Sequence, residues 1–161
     1  MTTKDHAATA PFVRAPRQGR VIHIPETSAV VVMKASGEET DGRVTVYEGT
    51  LQRGDIGPPL HFHRAIDEMF YILQGVLTFQ IGDDVRSASA GSFVFIPRGT
   101  PHTFSNFGIE PARGLTMILP GGFEGYFDAM QSLPPRSVDR RPWHELAQQW
   151  DVEVVGPPLT Q

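Results

Sequence analysis

The chain has no cysteine, which excludes a disulfide framework, a thiolate zinc site and a thiol nucleophile together. Any metal it holds must sit on nitrogen and oxygen ligands. Long apolar runs are also missing. The longest, Ala29 to Met33, falls far short of the ~18 residues a membrane-spanning helix needs, so no membrane association is expected. Positive charge is sparse and scattered: 14 Lys and Arg stand against 18 Asp and Glu, for a formal net charge of −4. No basic patch forms, and nucleic acid is not an expected partner. The opening MTTKDHAATA has neither the apolar core of a signal peptide nor the Arg-rich pattern of a transit peptide. The expectation is a soluble, cytoplasmic protein.

What is present is short-period hydrophobic patterning cut by glycine and proline. At 161 residues the chain reads as a single compact unit of the commonest domain size. Residues 1–20, interrupted by Pro11 and Pro16, develop no period and are expected to be a flexible arm. From 21 to 119 the runs VIHI, SAVVVMK, RVTVYEGTL, EMFYIL, VLTFQI, VRSA, SFVFI, HTFSNF and RGLTMIL read as strands. Gly82-Asp83-Asp84 marks a tight hairpin turn. Strands so short and so closely spaced predict an all-β sandwich or double-sheet barrel. Residues 120–161 change character. Phe123, Phe127 and Met130 fall at i, i+4 and i+7, and Trp143, Leu146, Ala147 and Trp150 repeat in the same way after Pro142. Both are helical stripes, which either pack on the outside of the barrel or, for the first, lid its mouth.

Two segments carry chemistry. PLHFHRAIDEMFYILQG supplies His61, His63 and Glu68, and GSFVFIPRGTPHTFSN supplies His102. Three imidazoles and a carboxylate make a divalent-metal site with room for a substrate. His61 and His63, two apart, share one face of a strand. Glu68 lies at an odd offset from His63, so a bend is required within Arg64–Asp67. Past that bend, Glu68, Phe70 and Ile72 alternate inward, as do His102, Phe104 and Asn106. Phe70, Ile72 and Phe104 are therefore expected to wall a dry pocket for an aromatic or apolar small molecule. Among the remaining polar residues, Glu48 is expected on a solvated strand face and Asp67 is expected to pair with a cation such as Arg64. Asn106 is expected to fix a strand end rather than to touch metal. His6, His23 and His144 stand apart from both segments.

These residues closely resemble the two motifs of the cupin superfamily. The first, G-x5-H-x-H-x3,4-E-x6-G, is met by His61, His63, Glu68 and Gly75, with Asp55 in place of the leading glycine and Gly54 and Gly57 nearby. The second, G-x5-P-x-G-x2-H-x3-N, is met in full by Gly91, Pro97, Gly99, His102 and Asn106. The resemblance implies a double-stranded β-helix (jelly-roll) barrel with short C-terminal helices. It implies that His61, His63, Glu68 and His102 bind one divalent transition metal, of the set Ni, Fe, Mn, Co, Cu or Zn. The C-terminal sequence is similar to that of single-domain bacterial cupins of the quercetin 2,3-dioxygenase-like kind. In flavonol-cleaving cupins the corresponding glutamate acts as a base, which implies a catalytic role for Glu68.

The leading expectation is accordingly an O₂-dependent dioxygenase acting on a flavonol-like or β-dicarbonyl compound. A metal-assisted, non-redox cyclase, isomerase or decarboxylase is the second reading, and a small-molecule-binding protein without catalysis the third. Exposed jelly-roll edge strands invite pairing, so a homodimer is expected.

Overall fold

A computed structural model describes residues 9–161. Residues 1–8 of the expected arm, with His6, lie outside the described residues. Residues 9–19 carry no strand or helix.

Ten strands lead to the helices: β1 (Arg20–His23), β2 (Val30–Ala35), β3 (Thr45–Leu51), β4 (His61–Phe62), β5 (Asp67–Gln74), β6 (Val76–Ile81), β7 (Asp84–Ser89), β8 (Phe93–Ile96), β9 (His102–Ser105) and β10 (Ala112–Leu119). Helices α1 (Glu124–Met130) and α2 (Arg141–Gln149) follow, and β11 (Glu153–Val154) comes last. The strands form two antiparallel sheets, ordered β1-β2-β3-β10-β5-β8 and β11-β4-β9-β6-β7. The sheets face each other as a double-stranded β-helix barrel, and the nine runs with strand patterning all fall on strands. The two-residue strands β4 and β11 were too short to show a period.

Strand alternation sets what lies inside. On β5, Glu68, Phe70 and Ile72 are buried, while Met69, Tyr71 and Leu73 point outward. Directly opposite residues share a face, so the register carries this inner face across the sheet. Phe70 pairs with Thr116 and Thr116 with Tyr47, whereas Glu68 lies between Ile118 and Ile96. Two hydrophobic clusters result. One gathers Phe70, Ile72, Phe79 and Leu77 between the sheets. The other joins Met33, Tyr47 and Ile118 to Phe123 and Phe127.

The second cluster shows where the helices lie. They cover the inner face of the six-stranded sheet, and the Phe127 ring meets Tyr47 edge-on with centroids 5.2 Å apart. Burying a ring such as Phe127 contributes roughly 1.5–3 kcal/mol. Polar contacts fix where α1 begins. Glu124 accepts hydrogen bonds from the Gly37 N–H (2.7 Å) and the Thr45 hydroxyl (2.5 Å), and Thr45 accepts one from the Gly122 N–H (2.9 Å). α2 carries Pro142 in its first turn, where a missing N–H costs nothing. The Trp143 indole N–H donates to the Pro134 carbonyl at 2.7 Å.

Candidate metal centre

His61 and His63 leave β4 on the five-stranded sheet, and the chain then crosses to the six-stranded sheet, where β5 presents Glu68. The bend expected within Arg64–Asp67 is this crossover. Asp151, at the end of α2, holds it in place. Its carboxylate accepts hydrogen bonds from the Arg64 N–H (2.9 Å) and the Ala65 N–H (2.8 Å). The Asp151 carbonyl also accepts the His63 Nδ1 proton at 2.6 Å. His102 enters from β9, directly opposite His61. All four side chains are buried, and each offers a ligand atom within 4.8 Å of the others.

The histidines are oriented alike. His61 Nδ1 donates to the Pro59 carbonyl at 2.8 Å and His102 Nδ1 to the Thr100 carbonyl at 2.9 Å, matching the His63–Asp151 bond. Three Nδ1 protons committed to backbone carbonyls leave three Nε2 atoms for the centre, the arrangement that fixes metal-binding imidazoles. His63 Nε2 is buried without a hydrogen-bond partner, a costly state unless something else satisfies it. His102 Nε2 lies 2.7 Å from Glu68 Oε2. With its Nδ1 proton already used, that contact needs a second proton or a cation in its place. Ligands ~2.1 Å from a common cation stand at most about 4.2 Å apart, so a small contraction of this group closes on an ion. The four residues fit a divalent metal, and the absence of thiolates suits several first-row ions.

Electrostatics agree with the geometry. Burial pushes the His61 imidazole down to about 4, and the neighbouring His102 charge adds to the effect. Burial alone would raise Glu68, but the hydrogen bond and charge of His102, with the charges of His63 and His61, outweigh it and hold the carboxyl low. Burial works against the charged His102 as well, yet the hydrogen bond and charge of Glu68 raise its basicity. The carboxylate is thus kept ionised among imidazoles, the state a ligand requires.

Phe70 and Ile72 share the inward face of β5 with Glu68, and Phe104 follows His102 by two positions on β9. Each lies one inward position or more beyond Glu68 or His102, and Phe70, Phe79 and Phe104 pack together at centroid distances of 5.2–5.6 Å. Phe70 and Ile72 are 2% and 0% exposed and belong to the hydrophobic cluster between the sheets. The aromatic ring that reaches the histidines is Phe123, edge-on to His63 at 5.5 Å. Neither Phe123 nor Asp151 was picked out as a site residue from sequence, where Phe123 showed only as part of a helical stripe. Asp67 pairs with Arg98 at 2.7 Å rather than with Arg64, because antiparallel β5 and β8 bring the turn after β8 beside it. Arg64 turns instead to Glu153. Glu48 lies on the outer face between Lys34 (3.7 Å) and Arg113 (3.5 Å).

The motif residues outside the metal group are structural. The Asn106 amide donates to the carbonyls of Leu51, Gln52 and Glu110 at 2.9–3.1 Å and locks two loops together. Asp55, in the place of the leading glycine, accepts from the Gln52 N–H at 2.6 Å. The left-handed backbone of that turn falls on Gly54, at φ 80°.

Comparison with known proteins then places the architecture. Residues 47–118 match the cupin domain family. The barrel has the cupin fold. A 61-residue stretch is 31% identical to an uncharacterized protein of Methanocaldococcus jannaschii, covering 38% of this chain and 49% of that protein, about half its length. The chain also superposes on KdgF from Halomonas sp. with a TM-score of 0.62, at 17% identity over 72% of this chain and 99% of that one. The polyketide cyclase RemF from Streptomyces resistomycificus gives 0.59, at 21% identity over 68% and 80% of the two chains. At these identities the structural likeness concerns the fold. Among the described residues no helix is long and apolar enough to cross a membrane.

Proposed function

We propose that this cupin is a metal-dependent enzyme in which His61, His63, Glu68 and His102 hold one divalent cation. Its substrate is a small, largely apolar enol or β-dicarbonyl compound, cleaved with O₂. The observation that carries this reading is the buried group of three Nε2 atoms and one carboxylate, with His63 Nε2 unpartnered. When bound, a redox-active cation supplies Lewis acidity and electron transfer toward dioxygen.

The chain's own residues do the rest. The backbone carbonyls at Pro59, Thr100 and Asp151 hold the three imidazoles by Nδ1 and turn their Nε2 atoms toward the centre. Glu68 Oε2, 2.7 Å from His102, is the base that takes the proton of a substrate hydroxyl, and His102 steadies the carboxylate beforehand. Phe123 shields the His63 side from water, which strengthens every charge interaction at the centre.

Oxygen consumption tests the reaction. The cupin loaded with Fe, Mn, Co, Ni or Cu is assayed on flavonols and β-diketones in an oxygen electrode. Uptake that matches product formation is expected, and equal turnover under anaerobic conditions overturns it. The superposition on a protein described as a polyketide cyclase supports a second reading, metal-assisted cyclisation, isomerisation or decarboxylation without O₂. That reading predicts turnover with Zn.

A further inference from the structure

Two hydroxyls face each other inside the barrel, apart from the four ligand residues. One inward row of the six-stranded sheet runs Met33–Tyr47–Thr116–Phe70 from β2 to β5. Tyr47 and Thr116 are directly opposite there, both buried, and the Thr116 hydroxyl hydrogen-bonds the phenol. Their neighbours on either side, Met33 and Phe70, are apolar. Burying two hydroxyls in such a row costs free energy that Phe and Val in the same places would not. The adjacent inward row, Thr45–Ile118–Glu68, carries the carboxylate. Contacts then close a circuit on the helix side of the centre. Glu68 Oε1 lies 3.9 Å from His63 Nε2. The His63 ring meets Phe123 at 5.5 Å, Phe123 meets Phe127 at 5.6 Å, and Phe127 meets Tyr47 at 5.2 Å. Tyr47 in turn feels the charge of Glu68. Burial first, and that charge second, push the phenol well above its ordinary range, so it keeps its proton and remains a hydrogen-bond donor.

We propose that Tyr47 donates a hydrogen bond to the second oxygen of the substrate whose enol hydroxyl gives its proton to Glu68. This rests on the enol or β-dicarbonyl reading above and names the residue that selects for it. When an enol passes its proton to the Glu68 carboxylate, the carboxyl becomes neutral and the negative charge spreads over both substrate oxygens. A donor fixed beside the second oxygen favours that charge and needs no rearrangement as it develops. Thr116 steadies the phenol from the opposite strand, and Phe123 and Phe127 give the same space apolar sides. A compound with a single oxygen has nothing for the phenol to hold, so Tyr47 sets a preference for two-oxygen substrates.

Binding without oxygen tests this apart from the O₂ reaction. The Co-loaded chain is titrated anaerobically with acetylacetone and, separately, with azide, which a metal binds but which offers no second oxygen. The visible spectrum follows both. Tyr47→Phe keeps the ring against Phe127 and is expected to raise the acetylacetone Kd at least ~10-fold while the azide Kd stays within ~2-fold of the parent. Tyr71→Phe, which removes an outward phenol from β5, should change neither. Equal acetylacetone affinity in Tyr47→Phe and the parent overturns the role, and so does an equal loss of azide affinity. A parent that binds azide but not acetylacetone overturns the dicarbonyl reading and this role with it. Acetylacetone binding that weakens in Tyr47→Phe, in a protein that consumes no O₂, supports the role and overturns only the oxidative step.

Discussion

His61 and His102 face each other across the β4–β9 pair, directly opposite in register with ring centroids 4.5 Å apart. Glu68 is not on that sheet at all. It reaches across from β5 to within 2.7 Å of His102, so the group joins the two halves of the barrel. A cation held there would tie the sheets together, and its binding should register as stability.

Metal loading is thus expected to raise the melting temperature. At a free metal concentration of 100 times Kd the gain is about 2.7 kcal/mol, or roughly 5–10 °C for a chain of this size. His102→Ala should abolish both the shift and the bound metal. Differential scanning fluorimetry with elemental analysis checks this, and a parent chain that neither binds nor shifts contradicts the site.

Asp151 should matter to metal although it contributes no ligand atom. Asp151→Ala removes two hydrogen bonds to the crossover and places alanine at φ 58°, where a non-glycine residue is strained. The expected loss is about 1–3 kcal/mol of stability and a ~10–100-fold weaker metal affinity. Asp151→Asn, which tolerates that backbone and keeps one acceptor, should fall between. Isothermal titration calorimetry with Ni or Co distinguishes the three.

Phe123→Ala should open the histidine side of the site. Losing a buried ring costs about 3–5 kcal/mol, and water admitted beside His63 should alter the visible spectrum of the Co-loaded protein. Phe123→Leu, which keeps most of the volume, should restore much of the stability. If the spectrum of Phe123→Ala matches that of the parent, Phe123 does not shield the centre.

The contact between the two helices is closed by a missing side chain. A Cβ on Gly125 would lie 2.1 Å from the Trp150 ring. Gly125→Ala is expected to destabilise the fold by about 1–3 kcal/mol. In a Trp150→Leu background the added cost should fall below ~1 kcal/mol, a coupling that urea titrations of the four proteins resolve.

What could be read from sequence follows the range of the interaction that creates it. The strand alternation at Glu68, Phe70 and Ile72 is local, as are the spacings of His61, His63 and His102, and both were legible. The partner of His63 was not. It is a backbone carbonyl 88 residues away, and any residue type offers the same atom. Asp67 shows the same limit. Proximity in sequence pointed to Arg64, while sheet pairing delivered Arg98. Phe123 was legible as one member of a helical stripe, but only the docking of α1 on the inner face of the sheet turned its ring toward His63.

The pairing of β11 with β4, joined to the Asp151 contacts, fixes when the centre can exist. His61 lies opposite Val154, His63 leans on the Asp151 carbonyl, and the Ser105 hydroxyl donates to the Leu159 carbonyl at 2.9 Å. A ribosome exposes the four ligands long before it releases those partners. The centre is therefore complete only once the segment from Asp151 to Leu159 has folded back on β4 and β9, so the four side chains are brought together by folded protein and not by a nascent strand.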